Sequence, residues 1–148
     1  MTQQDCISCE VTAGRRETPG GVILEEERWH VSHMVSPAEV AGFLIFQPTR
    51  HVEHIADLTS EEAAEMGQML SRVSRALMNV LSPRKVYVCS FGSVVKHVHF
   101  YLIPRMPGMS NAARLLDELQ AGRWDCSDDE AADVAGRVRA ELMHQSAS

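Results

Sequence analysis

The nine residues His97-Val98-His99-Phe100-Tyr101-Leu102-Ile103-Pro104-Arg105 constrain this chain more than any other stretch. Side chains in a strand alternate between two faces, so His97, His99 and Tyr101 share one face and Val98, Phe100 and Leu102 the other. The apolar face belongs to a core. Three polar rings in a row on the opposite face are more than packing requires, which marks that face for chemistry. The pattern predicts a strand over residues 97–103, stopped by Pro104 and Pro107. Residues 85–91 read as its neighbour, joined to it at Gly92-Ser93. Residues 22–24 follow the turn Pro19-Gly20-Gly21 as a short strand, and residues 29–34 are a weaker one. Residues 43–46, apolar throughout and bounded by Gly42 and Pro48, read as a strand buried on both faces.

Two helices are announced by their first turns. Thr59-Ser60-Glu61-Glu62 and Ser127-Asp128-Asp129-Glu130 each fit a capping box, in which hydroxyl and carboxylate satisfy two otherwise orphaned backbone N–H groups. Behind the first, Ala63, Met66, Leu70, Val73 and Leu77 form one apolar stripe that ends at Pro83. Behind the second, Ala131, Val134, Val138 and Leu142 form another. The expectation is an α+β fold: a mainly antiparallel sheet, one main helix and a C-terminal helix. At 148 residues the chain has the length of a single domain.

Charge and composition narrow the partners. With 14 Lys+Arg against 20 Asp+Glu, the net charge of −6 argues against long nucleic acid or an anionic membrane. Two Trp, two Tyr and four Phe leave little for a base-stacking platform. Met1-Thr2-Gln3-Gln4-Asp5 lacks the basic and apolar regions of a signal peptide, and the longest apolar run is strand-sized. A cytoplasmic location is therefore expected, where thiols stay reduced and a Cys pair points to metal or catalysis.

Such a pair exists at Cys6-x-x-Cys9. Two thiolates at this spacing hold one edge of a tetrahedral zinc site and need two further ligands. A redox pair would open a helix in a βαβ context, and two small buried residues are the plainest alternative. His51 and His54, after the buried strand, are both candidate partners. Cys89 and Cys126 read as packing residues, and His30, His33 and His144 as surface or unassigned.

Taken together, these residues resemble the histidine-triad (HIT) superfamily of nucleotide hydrolases and transferases, whose motif is His-φ-His-φ-His-φ-φ with φ apolar. Upstream, Gly42-Phe43-Leu44-Ile45-Phe46-Gln47-Pro48-Thr49-Arg50-His51 is similar to the family's Gly-His-x-Leu-φ-φ-Pro-Lys-x-His, and Cys6-x-x-Cys9 resembles its zinc-bearing branch. The likeness covers residues 6–107 and leaves 109–148 as a variable extension. It implies a five-stranded antiparallel sheet, a two-fold homodimer, and a small-molecule nucleotide as substrate. It also implies His99 as the nucleophile that attacks an α-phosphate, and Cys6, Cys9, His51 and His97 as ligands of a structural zinc ion. Tyr101 stands at the third triad position, where the family's histidine donates to the phosphate. Ser93 stands where the family has Gln, and together with His97, Lys96 and Arg105 it is the expected substrate-binding set. Phe43 replaces a family histidine, and the acidic residue that holds the ribose hydroxyls has no counterpart in His33-Met34-Val35-Ser36-Pro37. The implied function is nucleotide hydrolysis or nucleotidyl transfer through a nucleotidyl-His99 intermediate on an atypical substrate. The alternative is a zinc-stabilised nucleotide-binding module with little or no turnover.

Overall fold

The computed structural model describes residues 5–147. In chain order they form α1 (Ile7–Thr12), β1 (Val22–Glu25), β2 (Trp29–His33), β3 (Leu44–Pro48), α2 (Ser60–Leu81), β4 (Lys85–Cys89), β5 (Phe100–Arg105), α3 (Ala112–Gln120) and α4 (Asp128–Ser146). The five strands make one antiparallel sheet in the order β1-β2-β3-β5-β4. The fold is α+β, as expected.

Strand alternation divides the sheet into two faces. One face presents Trp29, Val31, Leu44, Phe46, Phe100 and Leu102 to α2 and α4, where Val73, Leu77, Val134, Val138 and Leu142 complete the core. Trp29 and Phe46 stack at 4.3 Å with their planes 6° apart, and the Trp29 indole N–H donates to Glu62 O at 3.2 Å. The opposite face carries α1 and α3. There Phe43 and Ile103 pack with Met109, Leu115 and Leu119, and Gln47 Nε2–H donates to Ser8 O of α1 at 3.3 Å. β3 is thus covered on both sides, as its unbroken apolar run requires.

Both capping boxes form: Thr59 Oγ1 accepts from Glu62 N–H at 3.1 Å, and Ser127 Oγ accepts from Glu130 N–H at 3.1 Å. The buried face of α2 differs from the expected stripe. Ala63 is exposed, whereas Met66, Leu70, Val73 and Leu77 pack on the core as expected and Met69 and Ala76 join them. Its N-terminal place is taken by Glu62, a buried carboxylate that Arg50 grips with two charged hydrogen bonds of 2.7 and 2.8 Å.

The motif strand also starts and ends later than expected. Ladder pairing begins at Phe100 and continues through Pro104, which sits opposite Val86. Pro104 is tolerated because β3 pairs β5 only as far as Leu102, so its missing N–H interrupts no bond to that strand. His97 to His99 run extended alongside the loop after β3, where Val98 N–H donates to Val52 O at 2.7 Å. Two short helices, α1 and α3, were not anticipated. Of the three histidines read as surface or unassigned, His144 is exposed, and His30 and His33 are buried. Among the described residues no helix is long and apolar enough to cross a membrane.

Candidate functional site

The end of β3, the loop behind it and the segment leading into β5 meet α1 at one corner of the sheet. Cys6 caps α1 and Cys9 lies one turn on, so both sulfurs point to the same side of the arm. His97 Nδ1 lies 3.7 Å from Cys6 Sγ and 3.4 Å from Cys9 Sγ, and His51 Nδ1 lies 3.2 Å from Cys9 Sγ. All four donor atoms fall within 4.8 Å of one another. A tetrahedral zinc ion with ordinary bond lengths has S···N edges of about 3.6 Å and an S···S edge of about 3.8 Å. The donor set and its spacing therefore fit that ion. His54 is exposed and lies outside the cluster, so the geometry selects His51.

Second partners set the tautomers. His97 Nε2–H donates to Pro48 O at 3.0 Å, which leaves the Nδ1 lone pair facing the two sulfurs. His51 Nε2 stands 3.4 Å from Glu53 Oε1. Burial pushes the Cys9 thiol up to about 11, with Cys6 adding to the rise, and pushes His97 down to about 4. These donors are neutral when left to themselves, and a divalent cation reverses that preference by stabilising thiolate. Cys6 does open a helix, yet no parallel βα unit follows, which leaves a redox pair without its expected setting.

His99 is 5% exposed and sits next to this corner. Its Nδ1–H donates to the carbonyl of His97 at 2.7 Å, so the Nε2 lone pair is the free one. The Tyr101 hydroxyl lies 3.1 Å from that Nε2 and donates to it. Burial raises the Tyr101 pKa above the ordinary phenol value, and the nearby Cys89 and Glu39 raise it further, so the hydroxyl keeps its proton. Tyr101 is itself set edge-on to Phe43, with ring centres 5.2 Å apart. Phe43 thus acts as a wall for Tyr101.

Two clefts meet at His99 and Tyr101. The smaller, about 130 Å³, lies beneath α1 and is lined by Ile7, Val11, Ile45, Ser32 and Gln47 among others. The larger, about 460 Å³, opens toward the loop before His97 and takes in Ser93, Phe91, Glu39 and three residues of α3. Among the described residues no Lys or Arg lines either cleft. Lys96 is exposed and near Glu53, and Arg105 Nε–H donates to Met109 O at 3.1 Å. Arg50 is engaged with Glu62. Among the expected substrate-binding residues, Ser93 therefore lines a cleft, His97 lies in the cysteine cluster, and Lys96 and Arg105 line neither cleft.

Two residues at the site escape sequence reasoning. His33 Nδ1–H donates to Met34 O at 3.1 Å while its Nε2 accepts from Gly42 N–H at 2.9 Å, closing the segment between β2 and β3 over the clefts. Burial holds it neutral. Glu39, within that segment, is the sole carboxylate lining the larger cleft. No periodicity marks either one, because His33 ends β2 and Glu39 lies in the irregular connection behind it.

Comparison with known proteins agrees with this geometry. The chain is 26% identical over 108 residues to "Protein hit" of Bacillus subtilis, covering 69% of this chain and 72% of that protein. It is 32% identical over 76 residues to AP-4-A phosphorylase of Mycobacterium tuberculosis, covering 47% of this chain and 39% of that enzyme. A zinc-bound histidine triad family protein from Mycobacterium smegmatis shares the fold with a TM-score of 0.75 and 19% identity, each chain covered to 99%. The family model for the HIT domain matches residues 15–108, the sheet, α2 and both histidines of the motif, and the chain belongs to the HIT domain family.

Proposed function

We propose that the protein is a nucleotide hydrolase or nucleotidyl transferase that works through His99. The observation that carries this reading is the His99 tautomer. With Nδ1–H held by the His97 carbonyl, the Nε2 lone pair stands where the two clefts meet. A neutral imidazole so oriented is a competent nucleophile at pH 7. Nε2 forms a bond to the α-phosphorus as the bond to the leaving group breaks, and the leaving group takes up a proton. Water then attacks the same phosphorus, the P–Nε2 bond breaks, and a nucleoside monophosphate leaves with release of a proton. The Tyr101 hydroxyl, which caps Nε2 in the resting site, turns to donate to a phosphate oxygen when phosphorus approaches. Ser93 supplies a second hydroxyl from the glycine-flanked loop.

Cys6, Cys9, His51 and His97 would hold a structural zinc ion, which pins α1 to the sheet and takes no part in bond-making. The zinc-bound Mycobacterium smegmatis structure supports this assignment. The AP-4-A phosphorylase similarity supports a nucleotide substrate, although it spans under half of either chain. A homodimer is proposed through the outer edge of β4, whose ladder groups face no other strand among the described residues. Val88 and Phe91 are 46% and 58% exposed there.

The test is incubation with an adenosine phosphoramidate and with diadenosine polyphosphates, scoring AMP release and an acid-labile covalent adduct. The expected result is an adduct and AMP in the wild type and neither in His99→Ala. Binding without turnover on every compound would instead support the second reading, a nucleotide-binding module. The capped Nε2 and the absence of Lys or Arg from both clefts favour that alternative.

A further inference from the structure

The larger cleft has a charge that the family motif does not explain. Glu39 is the only ionisable carboxylate lining it, and its Oε2 is buried with no hydrogen-bond donor among the described residues. Glu39 is half-buried as a residue, and its donor-less oxygen attracts a hydrogen-bond donor or a cation that enters the cavity. Its effect already reaches Tyr101 and Cys126, whose acid forms it favours. Among the described residues no Lys or Arg lines either cleft to offset it.

Glu39 is held in place from outside the family-matched region. Cys126 N–H donates to the neighbouring Ala38 O at 3.1 Å, and its thiol lies 3.6 Å from the same oxygen. The outer wall is also foreign to that region, since Leu116, Leu119 and Gln120 come from α3. Phe91 adds an exposed aromatic ring at the rim. The cavity thus combines one negative charge, an aromatic edge and an apolar wall, with His99 and Tyr101 at its inner end.

The two clefts differ in a way that sorts the halves of a substrate. The smaller is apolar, carries no charged side chain and has the volume of a planar ring system. The larger is the roomier and holds the single charge. Polyphosphate would bring several negative charges beside Glu39 with no Lys or Arg to receive them. A protonated nitrogen would meet both the carboxylate and the rings of Phe91 and Tyr101.

We propose that the larger cleft is the leaving-group subsite and that Glu39 is its specificity-determining residue, selecting leaving groups that carry an ammonium or guanidinium and disfavouring polyphosphate. This rests on the nucleotidyl-transfer reading for its catalytic form, but the charge selection is also a statement about binding.

The experiment uses two adenosine phosphoramidates of equal length, one ending in an ammonium and the other in a methyl group, with diadenosine tetraphosphate as a third compound. In the wild type, kcat/KM for the ammonium compound exceeds that for the methyl compound by about tenfold or more, the scale of one charge-assisted contact. Glu39→Gln brings that ratio to about one and improves diadenosine tetraphosphate relative to both. Glu39→Asp keeps part of the preference, which separates charge from folding, and circular dichroism checks each variant. The same pair is measured for binding to His99→Ala by calorimetry, with and without Glu39→Gln. If no compound is turned over, the nucleotidyl-transfer reading fails, while a charge preference in binding that Glu39→Gln removes still upholds the subsite. Equal affinity and equal kcat/KM for the two arms, or a preference that survives Glu39→Gln, overturns the proposal.

Discussion

Removing the proposed zinc ion tests the tie between the arm and the sheet. α1 has six residues, too few to persist as an isolated helix, so it is ordered by what holds it. Those holds are the two sulfurs facing His51 and His97, the Gln47 bond to Ser8 O at 3.3 Å, and the burial of Val11. A ligand that binds only the folded state at a thousandfold excess over its Kd stabilises by about 4 kcal/mol. For a domain of this size, 1 kcal/mol shifts Tm by about 2–4 °C, so chelation should lower Tm by about 8–16 °C. Differential scanning calorimetry before and after treatment with a zinc chelator measures the shift, with elemental analysis on the same samples. Cys9→Ser should start near the lower Tm and respond weakly to chelator. Hydrogen exchange should accelerate in residues 6–12 while β3 and β5 stay protected. A Tm that stays within about 2 °C after measured loss of zinc would refute the argument. So would under about half an equivalent of zinc in protein purified without chelators, since a closed four-ligand site should retain its ion.

Glu62 has its carboxyl held below the usual range, chiefly by its hydrogen bond to Arg50 and then by the Thr59 backbone N–H, against the opposing effect of burial. A depressed folded pKa contributes stability above the unfolded pKa and loses it as pH falls through the folded value. Glu62→Gln should therefore lower Tm by about 2–4 °C at pH 7, modest because Arg50 is half-exposed and screened. The gap to wild type should close on acidification through and below the carboxylate range, as thermal scans at pH 7 and pH 3 would read. Gly20 has φ +75°, and a Cβ there would lie 2.7 Å from Ala135 Cβ and 2.9 Å from Ala132 O of α4. Gly20→Ala should cost about 2–4 kcal/mol in urea denaturation, since both strain and a backbone clash resist relief. Val88→Lys should convert the proposed dimer to monomer in sedimentation equilibrium, with the monomer's fold intact by circular dichroism.

The parts of the fold legible in the sequence are those written in periodicity and caps. Phe43 to Phe46 announced a strand covered on both faces, and Thr59 and Ser127 announced two helix starts to the residue. What escaped had weak local signals. α1 is held by Cys6, Cys9 and Ser8 through contacts made 39 to 91 residues away, so nothing within six residues encodes it. α3 is ordered by Leu115 and Leu119 against Phe43 and Ile103, again at long range. His30 and His33 stay unassigned between surface and interior in the sequence because alternation gives a face but not what covers it. In the site, His99, Tyr101 and the cysteine cluster come together because neighbouring positions on one extended segment display them. The surroundings of Lys96 and Arg105 depended on side-chain direction, which proximity in sequence does not supply.

His97 explains why the cysteine cluster and His99 lie side by side. Its Nδ1 faces the sulfurs, its Nε2–H is fixed on Pro48 O, and its carbonyl accepts from His99 Nδ1–H. One residue thus anchors the arm, grips the end of β3 and sets the tautomer of its neighbour. The ring cannot turn without breaking the bond to Pro48, and that oxygen belongs to the last residue of the strand beside β5. A shift of the 97–99 segment is opposed as well by Val98, which plugs the core and donates to Val52 O. The position of the Nε2 lone pair therefore depends on strand pairing, core packing and the cysteine cluster together. Substituting His97 should disturb all three, whereas Tyr101→Phe keeps the ring contacts and the lone pair in place and removes only the hydroxyl that caps it. That asymmetry follows from which atoms hold His99, and it accounts for a site in which the third position of the motif has changed while the first two have not.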